Sequence, residues 1–560
     1  MAAKTFWKVT GKGDKFVPLN TRPSITRRNL LKASAFVANA AALQSVMPAK
    51  LFAQTGAPAG AQDAYAIPKS DISGPVLPNW HSVGDFYRVP KWFHGAKIGI
   101  FTHWGLYAIP AHKSEWYSKY MYTTDVEWHT QHFGPPDKFG YKDFIPLFQP
   151  SKFDADEWVA LFQRSGARYM CPVAEHHDGF AMWNSDITPW CAGKMGPKRD
   201  LIGELEKAAR KQNMIWGCST HRMEHHTFMY PAPGVPNDQF DPRYAGFYGP
   251  PIQDVDMNGP NASPAFQGDW LARIQELTDK YHPELLYMDN GVNSREYDPI
   301  KLRAAAYLFN RAHEVGYETT LCTKQWAYLY GTLQTAEGMG GSPQWIYPGA
   351  WQCDTSIGNS WGYITGLRVL DGAALVRQLI ILASCGGNYM LNVAPMSDGS
   401  IPEDQQKSLL TMGEWLRRNG EAVYDSKTWL RPGEGPGVPA EAPQEWRGWP
   451  TAMGIPGNAT NHYPPPPTVS DFRFTTNRGS LYATGLMPPA DSKGGFEAKL
   501  TTFRKGQANI QRISLLDGAK PIEFKQTEEA LICAVPALDA EMAGLPYTLK
   551  LEGSMSGFDA

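Results

Sequence analysis

From about residue 90 to 424, short apolar runs alternate with stretches in which apolar positions recur every three or four residues. The runs at 97–101, 169–174, 214–219, 284–289, 319–323 and 388–394 are apolar almost throughout. That is the pattern of strands covered on both faces, as in a parallel sheet. Amphipathic helices lie between them. Asp154 precedes one, with Glu157 three residues on as a capping pair and Trp158, Leu161 and Phe162 sharing a face. Leu201, Leu205, Ala208 and Ala209 mark the next, and Trp270, Ile274, Leu277 and Tyr281 another. A last helix ends near Asn419, where Gly420 is a natural stop. Repeated strand-then-helix units predict an α/β chain folded as a (β/α) TIM-like barrel, irregular in places, with a doubly wound sheet as the alternative.

The texture changes after Tyr424. Residues 431–467 are dense in Pro and Gly and read as an irregular connection. Short β-like runs follow at 471–475, 480–486, 510–516, 530–535 and 547–552, with Asn477-Arg478-Gly479 as a turn. They predict a C-terminal all-β sandwich. Residues 54–80, rich in Ala, Pro, Gly and Ser, read as a linker. Ahead of them stands TRRNLLK at 26–32, then an apolar, alanine-rich run to Met47 and small residues near Leu51-Phe52-Ala53. This resembles a twin-arginine export signal and predicts a periplasmic or secreted protein. The expected divisions are a signal at 1–53, a linker at 54–80, the barrel at 81–424, a connection at 425–467 and the sandwich at 468–560. No stretch is long and apolar enough for a membrane span.

Charge narrows the function. The 53 Lys+Arg against 55 Asp+Glu leave a net charge of −2, without the basic excess that nucleic-acid binding needs. The 12% aromatic content, with 19 Trp and 25 Tyr, suits a large core and also offers flat rings to sugar faces. The seven Cys form no C-x-x-C pair and fit no iron–sulfur, zinc or haem pattern. No glycine-rich nucleotide loop follows a predicted strand, so no cofactor is expected.

In such a barrel the residues just after each strand form the catalytic mouth. The first strand runs into Thr102-His103-Trp104-Gly105, the second into Glu175-His176-His177-Asp178-Gly179, and the 284–289 strand into Asp289-Asn290-Gly291. Imidazoles, carboxylates and aromatics therefore converge without phosphate-binding glycines. That set suits recognition of a neutral polyol with carboxylates for acid–base work. Strand-terminal Asp residues are also common turn formers, and aromatics are commonly core. H-H-D could also suggest a metal. Adjacent side chains point to opposite faces of an extended strand, and no third ligand follows at metal spacing, so no metal is expected.

Seven stretches, in order, then carry a resemblance: AKIGIFTHWGLYAIPAHKSEWY, EHHDGFAMW, KRDLIGELEKAARKQ, LLYMDNG, WQCDTSIGNSWGY, GGNYMLNVAPMSDGSIP and GEWLRRNGEAVY. Between residues 89 and 424 the chain resembles the α-L-fucosidase family of retaining glycoside hydrolases, family 29. The resemblance implies that Asp289 is the nucleophile, although Asn290 stands where a Gly usually follows. It implies that His103, His176 and His177 hold sugar hydroxyls, and that Trp116 and Tyr117 wall the pocket with Trp351 nearby. At the strand end where the family often has tyrosines, this chain has Ser219-Thr220-His221-Arg222-Met223-Glu224-His225, so His221 and His225 become candidates.

For the acid/base, Glu337 in Ala336-Glu337-Gly338 fits a family variant. Gln352 replaces the Glu that some members place after the Trp, and it cannot donate a carboxyl proton. Glu115 in S-E-W-Y is the competitor, and otherwise a partner of a pocket histidine. The implied reading is an exported retaining α-L-fucosidase acting on fucosylated oligosaccharides or glycoconjugates. A non-catalytic fucose-binding lectin and a cofactor-carrying exported redox enzyme are the rivals.

Overall fold

The structure, a computed structural model, describes residues 65–249, 251–253, 261–439, 466–492 and 494–554. The twin-arginine stretch lies outside them. Eight parallel strands close into a barrel, each hydrogen-bonded to the next in chain order. They are β1 (Ile98–Thr102), β2 (Tyr169–Glu175), β3 (Ile215–Thr220), β4 (Leu285–Met288), β5 (Thr320–Thr323), β6 (Thr332–Glu337), β7 (Trp351–Ser356) and β8 (Asn388–Val393). Closure, through β8 paired with β1, removes the doubly wound alternative.

Apolar runs foretold all of these strands except β6 and β7. TLQTAE and WQCDTS carry polar residues that point into the barrel. Gln352 Oε1 accepts from the Tyr169 hydroxyl at 3.0 Å, and its Nε2 reaches Thr335 Oγ1 at 3.3 Å. A strand that lines a polar interior does not read as a continuous apolar run.

The first of the expected helices begins at its expected cap, and the second at a cap the periodicity did not single out. Asp154 accepts from Glu157 N at 3.1 Å ahead of α1 (Ala155–Arg164), and Asp200 accepts from Gly203 N at 3.0 Å ahead of α2 (Leu201–Lys211). Then come α3 (Pro264–Tyr281), α4 (Asp298–Val315), α5 (Gly372–Ser384) and α6 (Glu403–Asn419). Residues 65–79 are not a loose linker. Their backbone N–H groups at Ala66, Lys69 and Val76 donate to Asp269 (3.0 Å), Gln275 (2.8 Å) and Asn310 (2.9 Å) along α3 and α4.

The connection expected at 425–467 also needs correcting, because it opens with a strand, β9 (Lys427–Glu434), paired to β10 (Phe472–Asn477). Pro432 and Gly433 disguised it; an edge strand tolerates both. The other strands are β11 (Ser480–Gly485), β12 (Phe496–Leu500), β13 (Asn509–Leu515), β14 (Lys520–Pro521), β15 (Glu523–Gln526), β16 (Leu531–Val535) and β17 (Tyr547–Ser554). They form an antiparallel six-stranded sheet, β14-β13-β17-β11-β10-β9, and a three-stranded one, β12-β16-β15. Side chains from both sheets, among them Trp429, Phe474, Leu500 and Leu531, share one core. The barrel meets this sandwich through Trp415 on α6, whose Nε1 donates to Pro546 O at 2.6 Å, and through Thr475 Oγ1, which donates to Ala422 O at 2.7 Å. Among the described residues no helix is long and apolar enough to cross a membrane.

Candidate active site

The strands deliver side chains to one mouth. Phe101 lies on β1 with His103 just beyond it, His176 and His177 follow β2, and His221 follows β3. Asp289 and Asn290 follow β4, Lys324 follows β5, Glu337 ends β6 and Asp354 lies on β7. Glu115, Trp116 and Trp361 come from the connecting segments and complete the wall.

Asp289 is buried, and both of its oxygens face cationic or polarisable nitrogen. Lys324 Nζ lies 2.6 Å from Oδ1, while His221 Nδ1 and His177 Nε2 lie 3.0 and 3.5 Å from Oδ2. Burial raises the Asp289 carboxyl more than any other single influence, but Lys324, His221 and His177 together outweigh it and hold the group well below the usual carboxylate range. Asp289 is therefore a permanent carboxylate at neutral pH. The same Lys324 Nζ lies 2.8 Å from Glu337 Oε2 and 3.9 Å from Asp354 Oδ2. One ammonium thus ties three carboxyl groups from three strands.

The imidazoles are oriented individually. His103 Nδ1 pairs with Asn392 Oδ1 at 2.7 Å, His221 Nε2 with Ser219 Oγ at 2.6 Å, and His177 Nδ1 faces Glu224 Oε2 at 3.1 Å. Burial holds His103, His176 and His221 below the usual histidine value, so they are neutral donors and acceptors. For His177 burial is again the largest influence, but the Glu224 and Asp289 carboxylates overcome it and raise the value. Behind the mouth, Arg222 bonds Asp269 (2.9 Å) and Glu175 (3.2 Å), fixing the end of β2 against the turn after β3.

The ring nitrogens of His103, His176 and His221 lie within 4.8 Å of one another, as do those of His177 and His221 with an Asp289 oxygen. Either set has the donor types of a zinc site. The expectation that His176 and His177 face apart fails here. β2 ends at Glu175, so the period-two rule has already lapsed, and both rings, with centroids 4.4 Å apart, line one cavity.

Residues 66–421 match the family model described as alpha-L-fucosidase. The chain belongs to the α-L-fucosidase family. It is similar to the plasma alpha-L-fucosidases of Pongo abelii and Homo sapiens, each 31% identical over 363 residues, which is 63% of this chain and 73% and 72% of theirs. Its fold is similar to that of a Thermotoga maritima alpha-fucosidase solved in complex with fucose, with a TM-score of 0.65 and 26% identity over 85% of this chain and all of that one. The protein is accordingly a glycoside hydrolase of the α-L-fucosidase family, with that family's barrel and C-terminal β domain.

Against this frame of the α-L-fucosidase family, three expected wall residues stand elsewhere. Trp351 opens β7 at the end remote from the mouth and is fully buried, its indole so close to Gly387 that a Cβ there would lie 2.4 Å from the ring. Tyr117 is buried beside the cavity, with its hydroxyl 2.7 Å from His129 Nδ1. His225 sits behind the wall, its Nδ1 2.7 Å from His177 O. Trp361, ten residues after Trp351 in the same matched stretch, lines the cavity instead.

Lys324 and Asp354 escaped the sequence reading. Lys324 had a usable signal, since it directly follows an apolar run, as the histidines do. Asp354 had none, because its strand went unrecognised. Tyr287 donates its hydroxyl to Asp354 Oδ2 at 2.8 Å. Burial, the largest influence, pushes Asp354 up to about 7; Glu337 and Asp289 add to the rise, and Lys324 and the Tyr287 hydroxyl oppose it.

A carboxyl whose folded value lies above its unfolded one, about 3.9, binds more protons when folded. Its contribution to stability therefore falls as pH rises from about 4 to about 7. Asp354→Asn removes that slope, so the melting temperature of the variant relative to wild type should climb between pH 5 and pH 8. A difference that stays flat or falls across the interval would mean Asp354 is ionised throughout.

Proposed function

We propose that the protein is an exported, retaining α-L-fucosidase working by double displacement, with Asp289 as nucleophile and Glu337 as acid/base. The observation that carries this reading is the shared ammonium. Because Lys324 touches Asp289 Oδ1 at 2.6 Å and Glu337 Oε2 at 2.8 Å, those oxygens are at most about 5.4 Å apart. Retaining glycosidases hold their two carboxyl groups about 5–5.5 Å apart, and inverting ones need about 6.5–9.5 Å to admit a water.

Glu337 is favoured over Glu115 by access. Its side chain is 46% exposed, at the lip where an aglycone leaves and water enters. Glu115 is buried, and its Oε2 accepts from Gly362 N at 3.2 Å and lies 3.5 Å from Ser360 Oγ, a structural anchor for the loop that carries Trp361.

In the first step Asp289 attacks the anomeric carbon as Glu337 protonates the departing oxygen. In the second, Glu337 takes a proton from water, which displaces Asp289. His103, His176, His177 and His221 bind ring hydroxyls, and Phe101, Trp116 and Trp361 supply apolar surface for the sugar's C–H faces and for the methyl that fucose carries in place of a hydroxymethyl group. The Thermotoga maritima relative was solved with fucose and also with a mechanism-based inhibitor, which supports the same ligand class here.

Hydrolysis of an aryl α-L-fucoside followed by NMR tests the mechanism. α-L-Fucose should be the first anomer seen, with the β anomer growing in only by mutarotation. β-L-Fucose appearing first would exclude double displacement, and no hydrolysis at all would restore the lectin reading. Export has its own test: changing Arg27 and Arg28 together to Lys should keep active enzyme in the cytoplasm, because the pair is read by a receptor. Undiminished periplasmic activity would refute that route.

A further inference from the structure

A second cavity, of about 170 Å³, lies between α5 and the β sandwich, bordered among others by Met339, Arg377, Gln378, Asp471 and Arg473. Arg473 is the anomaly. It is 1% exposed on β10, yet only Nη2 is engaged, donating to Gly437 O at 2.6 Å. Its Nε and Nη1 have no hydrogen-bond partner, and it forms no ion pair among the described residues.

The nearby acid is occupied elsewhere. Asp471 Oδ1 accepts from Gly437 N at 2.6 Å, and Oδ2 accepts from Thr468 N and Oγ1 at 2.7 and 2.8 Å. Arg377, which also lines the cavity, has among the described residues only the exposed Asp371 as an ion-pair partner, 3.8 Å away. Burial lowers both guanidinium groups from their usual value. A guanidinium removed from water is costly unless a counter-charge and hydrogen bonds replace its hydration.

Among the described residues that line the cavity, two arginines face one aspartate, and the Asp371 beside Arg377 lies outside it in solvent, so the lining carries one positive charge in excess, which a monoanion balances. The planar fork of arginine matches a carboxylate, and the volume admits a small acid or a single sugar acid but not an oligosaccharide. We propose that this cavity is a binding site for a small carboxylate held between Arg473 and Arg377. Met339, two residues beyond Glu337, borders the same space, so the bound acid would brace the Glu337 loop against the sandwich. The proposal does not depend on the fucosidase reaction.

The test is a melting-temperature titration of the full chain in a low-salt buffer at pH 7.5 with sodium acetate, sodium glucuronate and, at matched ionic strength, sodium chloride. A carboxylate should raise the midpoint saturably by about 2 °C where chloride does not. A rise with acetate alone identifies a free small acid, and a rise with glucuronate identifies a sugar acid. Arg473→Met should abolish the response. If that variant does not fold, Arg377→Gln should shift the half-saturating concentration at least about fivefold, the loss expected of one charge-assisted contact. No rise, an equal rise with chloride, or the same carboxylate response in both variants as in wild type would leave the cavity to water and overturn the proposal.

Discussion

Asp289→Ala should lower turnover on the order of 10⁴–10⁶-fold for an aryl fucoside and for a fucosylated sugar alike. Loss of the nucleophile removes the covalent step whatever the leaving group, so the two substrates fall together. Lys324 keeps Glu337 and Asp354 as partners, and the circular dichroism spectrum should not change. Azide should restore part of the rate by entering from the vacated side, and the product should be the inverted β-fucosyl azide. A loss below about 100-fold with the aryl substrate, smaller than a general acid/base typically contributes, would remove Asp289 from the nucleophile's role.

Glu337→Ala should instead separate the two substrates. A fucosylated sugar departs as a poor alkoxide and needs the proton, so its turnover should drop by about 10²–10⁴-fold. A nitrophenyl or similar leaving group departs unaided, so formation of the fucosyl-enzyme survives while its hydrolysis loses the base. The intermediate should accumulate, visible as a burst of phenol and as a mass increase on the protein, and azide should discharge it to the retained α-fucosyl azide. Glu115→Ala, measured alongside, should show neither the burst nor the azide product. If Glu115→Ala shows both and Glu337→Ala neither, the acid/base is Glu115.

Legibility in the sequence followed the kind of information each feature carries. Strand-end residues whose strands are uniformly apolar, such as His103 after β1 and Asp289 after β4, could be placed at the mouth from the one-dimensional pattern. β6 and β7 broke that pattern because their inward positions hold Thr335, Gln352 and Asp354, whose polarity is satisfied by groups on other strands. Asp354 was therefore invisible. The misassignment of Trp351 had a different cause: motif proximity places an aromatic near the site, but one end of a barrel strand is the mouth and the other the floor. Trp351 opens β7 at the floor, while Trp361, in the segment beyond the strand, reaches the mouth.

The sequence alone determined the class of the fold, the capped helices, the C-terminal sandwich, and a set of imidazoles and carboxylates fitted to a sugar, because periodicity, capping and strand-end position are local properties. Only the tertiary structure decided which of these groups act together. The pairing of Asp289 with Glu337 through Lys324 joins β4, β5 and β6, and the descent of the Asp289 carboxyl depends on ammonium and imidazole groups brought to within 3.5 Å from three other strand ends. Charge interaction at that range depends on distance and on exclusion of water. Neither is a property of sequence spacing; both come from the closure of the barrel.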